Sequence, residues 1–373
     1  MISELIAHMD NGPQGCCLMD ALRQIPKDPQ NNQFNYVNEL LGFADEYEDN
    51  KLYEFLALLD KVQNDDMLIT SSIPYSVAKW VFCTNKIENM GPNTLEETEK
   101  ILQSPLEHRC SQSETVLSTL GLLTKTYKKE NYKNEHISAV IFDTESLKLW
   151  FSIIMPNHKP SFRKHGVEAS SWNGATHKYP HHQIVEEAIK CLCSLIYTLS
   201  KGISRCYRDN ENKKVLLVFA LAAFAQFHFV DIHPFPDGNG RLCRLISKRI
   251  LDWCCPFPFP MFENRETYFN ALIEGRKGDP KSAPKLLMGL LLDSAIEHYT
   301  SSLCKRQITK SVSAQSSTQL EDILREMQVK EDEVNRLMKE FVKMQINTST
   351  SIKINDSFSY KLTRMDNIDF DSL

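Results

Sequence analysis

His233-Pro234-Phe235-Pro236-Asp237-Gly238-Asn239-Gly240-Arg241-Leu242-Cys243-Arg244 sets an acid/base side chain, a glycine-rich turn and two arginines at one loop-to-helix junction. Upstream, Val215 to Val230 reads as a buried helix, and Pro234 and Pro236 forbid that helix to continue. Downstream, Arg241 to Asp252 resumes helical periodicity, with Leu242, Leu245, Ile246, Ile250 and Leu251 on one side. Gly238-Asn239-Gly240 is therefore expected at a helix N-terminus, where unpaired N–H groups and the positive end of the dipole favour an anion. Glycine lets backbone approach a phosphate closely, and Arg241 and Arg244, three apart, share a helical face from which both can reach it. The junction reads as a phosphate site with a base beside it.

At every fixed position these residues reproduce the pattern His-x-Phe-x-Asp/Glu-Gly-Asn-Gly-Arg-x-x-Arg, and by it the chain resembles the Fic family. No Gly-Lys-Ser/Thr follows the glycines, so a Walker-type loop is a poor competitor.

The 373 residues, 42% of them hydrophobic, allow a sizeable core in one large or two to three smaller domains. A net charge of -5 and a pI near 6.1 give no bulk attraction to nucleic acid or to an acidic membrane. Eleven cysteines without a Cys-x-x-Cys pair read as reduced thiols, so a cytoplasmic location is expected. Met1 to Gln14 lacks the basic flank and apolar run of a secretory signal. The longest apolar run, Val215 to Val230, contains Gln226 and His228 and falls short of the roughly 20 residues that span a bilayer.

Residues 1–72 show helical patches, clearest at Leu52 to Val62, and carry no legible chemistry. Ser72-Ile73-Pro74 then reads as a helix start, with the helix running to Asn89 before Gly91-Pro92. Taken alone, Thr84-Asn85-Lys86-Ile87-Glu88-Asn89 is a solvated helix face. Beside the central motif it resembles the Ser/Thr-x-x-x-Glu-Gly/Asn pattern of the family branch with an N-terminal inhibitory helix. The resemblance implies that Glu88 engages Arg244, which could not then hold a γ-phosphate. Thr94-Leu95-Glu96-Glu97-Thr98 looks like the start of the next helix.

Leu106 to Tyr132 reads as helix again, and Asp143-Thr144-Glu145 caps another that runs through Met155. Pro160 to Pro180, turn-rich around Trp172-Asn173-Gly174, sits where the family carries a β-hairpin flap, whose edge can hold a target's extended main chain by strand addition. His177, His181 and His182 lack a carboxylate or thiol spaced to complete a metal site. Gln183 to Gly202 is an amphipathic helix, and His228 reads as a core histidine. Arg265 to Leu272 resembles the family helix lining the adenine end of the pocket, which makes Tyr268 and Asn270 nucleotide contacts by that resemblance.

Lys305 to Thr318 is polar and Ser-rich and reads as a linker. Beyond it, residues 319–373 show two short helical patterns and a hairpin-like alternation, a winged-helix-like module, against one amphipathic helix as the competing reading. The acidic run Glu331-Asp332-Glu333 at its would-be reading helix favours protein over DNA. The expected fold is thus mainly α: residues 73–300 as a Fic-type helical core with a small β-hairpin flap, followed by that C-terminal module.

The resemblance implies transfer of AMP from Mg-ATP to a Ser, Thr or Tyr hydroxyl of a target protein docked on the flap. His233 would be the general base. Asp237 would hold Mg²⁺, Gly238, Asn239 and Gly240 would cradle the phosphates, with the Asn239 amide at the α-phosphate, and Arg241 would stabilise the transferring group. Arg244 would orient the γ-phosphate. Some relatives with an inhibitory glutamate also remove AMP, and Glu88 could then position the attacking water. Two rivals stay open: transfer of another nucleotide or of phosphate, and a nucleotide-inert regulatory protein. A homodimer is the oligomer left in view.

Overall fold

A computed structural model describes residues 17, 18, 21, 33–46, 49–105, 111–125, 142–170, 176–207, 209–275 and 282–315. The chain folds as two compact units that interleave along it: residues 1–53, 132–254 and 264–293 in the first, and 54–131, 255–263 and 294–373 in the second.

The first unit is built on one buried helix. Its helices are α1 (Gln33–Leu41), α6 (Thr144–Ile154), α7 (Val185–Cys206), α8 (Glu211–Ile232), α9 (Asn239–Leu251) and α10 (Arg265–Gly275), and α6 and α7 are separated by strands β1 (Glu168–Ser170) and β2 (Thr176–Lys178). Asn210 starts α8 by accepting the Lys213 N–H, and every residue from Val215 to Ile232 is buried. Only an element packed all round can bury an uninterrupted apolar run, and α8 packs against α7, α9 and α1. Among the described residues α8 is the one helix long and apolar enough to cross a membrane, and its apolar stretch is wholly buried within the protein. In α7 the apolar stripe Val185, Ile189, Leu192, Leu195, Ile196 and Leu199 is buried, as its period predicts, and the helix extends past Gly202 to Cys206. Asp143 caps α6 through the Ser146 N–H. The hairpin is present, with Glu168, Ala169 and Ser170 facing Lys178, His177 and Thr176 in antiparallel register. Its tip, with Trp172-Asn173-Gly174, lies outside the described residues.

In the second unit, α3 (Asp66–Ile87) follows α2 (Asp49–Gln63), which begins in the first, and packs with α4 (Leu95–Gln103) and α5 (Ser111–Lys125). The expected start at Ser72 is corrected: Asp65 is the N-cap, accepting the Leu68 N–H, so Pro74 falls inside the helix and a boundary at residue 72 would cut through it. A proline there deprives the Thr70 carbonyl of its partner four residues on, a local cost that a helix with a long buried face tolerates. α3 ends at Ile87, with Glu88 as C-cap, Asn89 at φ 54° and Gly91 at φ 75°. The Met90 N–H returns to the Asn85 carbonyl and closes the turn. Inside the unit, the Asn85 carboxamide accepts the Thr119 hydroxyl at 2.8 Å, and Ser76 shares a 2.8 Å hydrogen bond with His298. Burial pushes the His298 imidazole down to about 3, with Lys79 and Lys305 acting in the same direction. Thr94 caps α4 by accepting the Glu97 N–H, as expected.

The last described helix, α11 (Ser282–Gln315), corrects the linker expected from Lys305. Ser, Thr, Lys and Gln suit the solvated face of a helix as well as a linker, and the Thr309 hydroxyl folds back onto the Lys305 carbonyl. The C-terminal helix-helix-hairpin module falls outside the described residues.

Candidate functional site

The site is the junction of α8 and α9. α8 stops at Ile232 because His233 takes the left-handed conformation, φ 51°, while its N–H still bonds the Phe229 carbonyl. A non-glycine residue in that region carries strain of order 1–2 kcal/mol and is held there by its surroundings. Phe235, fully buried, is the anchor: its ring stacks on Phe151 at 4.4 Å and leans on Phe162 at 5.2 Å. Two residues on, the chain is exposed at Asp237, and Gly238, at φ 74°, caps α9. A Cβ at Gly238 would stand 2.7 Å from the Ile154 Cδ1, so both conformation and space require glycine.

The junction thus has the form that the sequence predicts. Asn239 and Gly240 open the helix, and their N–H groups lie in the first turn, where anions are favoured. The Asn239 carboxamide, however, does not face outward: Oδ1 accepts the Phe235 N–H at 2.9 Å and Nδ2 donates to the Phe235 carbonyl at 2.8 Å. Its side chain shapes the loop, and what it offers an anion is its backbone N–H. Asp237 uses Oδ1 to accept the Gly238 N–H at 2.6 Å, so its carboxylate is fixed at the exposed rim. No cluster of three or more His, Cys, Asp or Glu able to hold a metal occurs among the described residues. A single rim carboxylate is nonetheless the donor set that suits Mg²⁺ arriving with phosphate oxygens and water.

Arg241 and Arg244 are 1% and 0% exposed. Both guanidinium groups stand on the first turns of α9, where the positive end of the helix dipole adds to their charge. An Arg241 Nη lies 3.4 Å from the Met155 Sδ, and the Arg244 guanidinium lies 6.0 Å from the centre of the Tyr268 ring. Tyr268 is itself buried, its hydroxyl accepting from the Gln226 amide at 2.9 Å, and Gln226 in turn accepts the Ser247 hydroxyl at 2.7 Å. Asn270, two residues further along α10, is exposed. The two expected adenine contacts therefore sit on opposite faces of their helix, and Tyr268 belongs with Arg244.

The imidazole of His233 is half-buried, with the Tyr179 ring stacked on it at 3.9 Å and 24° between planes. Tyr179 follows β2 directly, so the flap reaches the base. His177 lies edge-on to Tyr179 at 4.8 Å and 3.8 Å from the Asp231 carboxylate, while His181 and His182 pair with each other. His228 is buried between Phe224 and Phe227, and burial pushes its imidazole down to about 4, so it is a neutral core group and no second base. Glu88, half-exposed, ends α3 in the second unit, whereas the residues from His233 to Arg244 belong to the first.

Arg163 escapes sequence reasoning. It is 4% exposed and donates from Nε to the His233 carbonyl at 2.7 Å, from Nη1 to the His165 carbonyl at 3.0 Å and from Nη2 to the carbonyls of Pro180 and Ile232. Burial lowers its pKa, partly countered by Tyr179.

Residues 141–251 match the Fic/DOC family model. The chain is 40% identical over 79 residues to a Fido domain-containing protein of Dictyostelium discoideum, an alignment covering 21% of this chain and 55% of that protein. It is 24% identical over 241 residues to a probable protein adenylyltransferase of Aquifex aeolicus, covering 63% of this chain and 67% of that one. The chain thus spans about half the length of the first relative and two thirds of the second. In fold it is similar to a solved fragment of Fic-1 from C. elegans, with a TM-score of 0.50 and 16% identity over 81% of this chain and 98% of that one.

Proposed function

From the match of residues 141–251 to the Fic/DOC family model we propose that the chain is a protein adenylyltransferase, moving AMP from ATP to a Ser, Thr or Tyr hydroxyl of a target protein. The observation that carries this reading is the junction itself: a base held in a strained left-handed cap, followed within eight residues by an anion-favouring helix start and a buried arginine. Similarity to the probable protein adenylyltransferase of Aquifex aeolicus supports it.

In this reading His233 takes the proton of the acceptor hydroxyl, the freed oxygen attacks the α-phosphorus, and the bond from that phosphorus to the β-bridging oxygen breaks to release pyrophosphate. The first-turn N–H groups of α9 bind phosphate oxygens without reorganising, and Arg241 neutralises charge as it moves to the leaving group. Arg244 anchors the terminal phosphate, and Tyr268 braces that arginine from the side. Asp237 would hold Mg²⁺, and the ion would supply positive charge to offset that of the phosphates. The flap, β1 and β2, presents an edge on which an extended segment of the target can pair, placing its hydroxyl beside His233. Glu88 restrains the reaction in the manner of the inhibitory-helix branch. Burial pushes the Cys191 and Cys193 thiols up to about 12, and buried protonated thiols of this kind suit a cytoplasmic protein.

The test is a labelling panel with lysate, Mg²⁺ and either α- or γ-labelled ATP, run on wild type and His233→Ala. Label is expected on protein from α-labelled ATP alone, with His233→Ala inactive yet binding ATP at nearly wild-type affinity, because the base acts on the acceptor. Label from the γ-position would mean phosphate transfer, and His233→Ala labelling at the wild-type rate would remove the base assignment.

A further inference from the structure

Arg163 captures both sides of a junction. Its guanidinium holds the carbonyls of Ile232 and His233, its own backbone N–H holds the Pro234 carbonyl at 2.9 Å, and its remaining donors hold the carbonyls of His165 and Pro180, which lie before β1 and after β2. The first group is the end of α8, where carbonyls lack partners within the helix and a cation complements the dipole. The second group is the base of the flap. Pro180 directly follows Tyr179, the residue whose ring lies on the His233 imidazole.

We propose that Arg163 is a positioning residue for the base: it locks the His233 backbone in its left-handed cap and fastens the flap so that Tyr179 fixes the plane of the imidazole. The inference rests on the adenylyltransferase reading for its consequence in rate, but not for its geometry. A planar fork with five donors satisfies several carbonyls in fixed directions at once. Lysine, with one compact ammonium, keeps the charge and cannot reproduce the directions. Arg163 touches neither acceptor nor nucleotide in this scheme. Its loss therefore moves the reacting geometry and leaves phosphate binding in place, and a small misplacement of a catalytic group costs on the order of a hundredfold in rate.

The experiment uses the full chain, with Arg163→Lys, Tyr179→Leu and Tyr179→Phe beside wild type. Nuclear magnetic resonance with labelled histidine reads the imidazole of His233, assigned by its absence in His233→Ala, and initial AMP-transfer rates are measured against ATP concentration. The stacked tyrosine displaces the His233 ring proton signals. Arg163→Lys and Tyr179→Leu should each return those signals toward the free-histidine position and lower kcat on the order of tenfold to a hundredfold with KM for ATP within about twofold. Tyr179→Phe should restore both signals and rate relative to Tyr179→Leu. His233 signals unmoved in Arg163→Lys overturn the proposal. Should Arg163→Lys fail to fold, the tyrosine pair decides it: unmoved signals in Tyr179→Leu overturn it equally. If wild type transfers no AMP, the functional reading fails while the resonance measurement still judges the positioning.

Discussion

The two polar ends of the Asn239 carboxamide close on the peptide groups of a single residue, Phe235, at 2.9 Å to its N–H and 2.8 Å to its carbonyl. Asn239 is 2% exposed and Phe235 is fully buried, so these bonds fold the loop over the start of α9 and bring the chain from His233 back to its first turn. Asn239→Ala loses both bonds and leaves the Phe235 peptide unsatisfied. Asn239→Asp keeps the shape but replaces a donor with an anionic oxygen facing a carbonyl. We expect each to cost about 1–3 kcal/mol in urea unfolding, with aspartate no better tolerated than alanine. Wild-type stability in Asn239→Asp would show that the bracket contributes nothing.

Glu88 offers a substitution whose structural side effect is small. As the C-cap of α3 it uses its backbone N–H on the carbonyls of Asn85 and Lys86, and glycine keeps that N–H. Glu88→Gly therefore isolates the carboxylate. If that carboxylate restrains the reaction, its removal should raise AMP transfer from α-labelled ATP by about tenfold to a hundredfold, the rate equivalent of roughly 1.5–3 kcal/mol for a charge-assisted bond. Arg244→Ala in the Glu88→Gly background should lower the rate again, since the terminal phosphate then lacks its anchor. Equal initial rates for wild type and Glu88→Gly would leave Glu88 as a helix end and nothing more.

The junction is legible in the sequence because its signals are local. An apolar run, two prolines and a glycine pair dictate helix, break and helix from α8 to α9, and the spacing of Arg241 and Arg244 follows from the helix alone. Arg163 is not legible, because its partners are backbone carbonyls, which every residue possesses and no side-chain pattern announces. The start of α3 is ambiguous because Ser72-Ile73-Pro74 and Asp65-Asp66 are both sound N-terminal signals, and only tertiary packing chooses between them. Tyr268 and Asn270 come together in a resemblance of motif, and the sequence does not announce that α10 buries the first and exposes the second.

His228 provides a pH-dependent test of the core beneath the site. It is 1% exposed, against Phe224 at 4.3 Å and Phe227 at 5.1 Å, with the Asp231 charge acting on the imidazole from within the same helix. Burial lowers its pKa from 6.5 to about 4, partly countered by Asp231. Between those two values the unfolded chain binds a proton that the folded chain refuses. Stability should therefore be fully present above about pH 6.5 and fall as pH drops toward about 4, by about 3 kcal/mol if the whole shift is expressed. His298, pushed down to about 3 by burial, adds a loss of the same sign. Replacing His228 with leucine removes the first contribution and leaves the second. Urea unfolding at about pH 7, 6, 5 and 4.5 should show wild type losing stability on acidification more steeply than His228→Leu, whatever their difference at neutral pH. Parallel pH profiles for the two proteins would mean that His228 titrates alike in both states, and would assign the acid sensitivity to other groups.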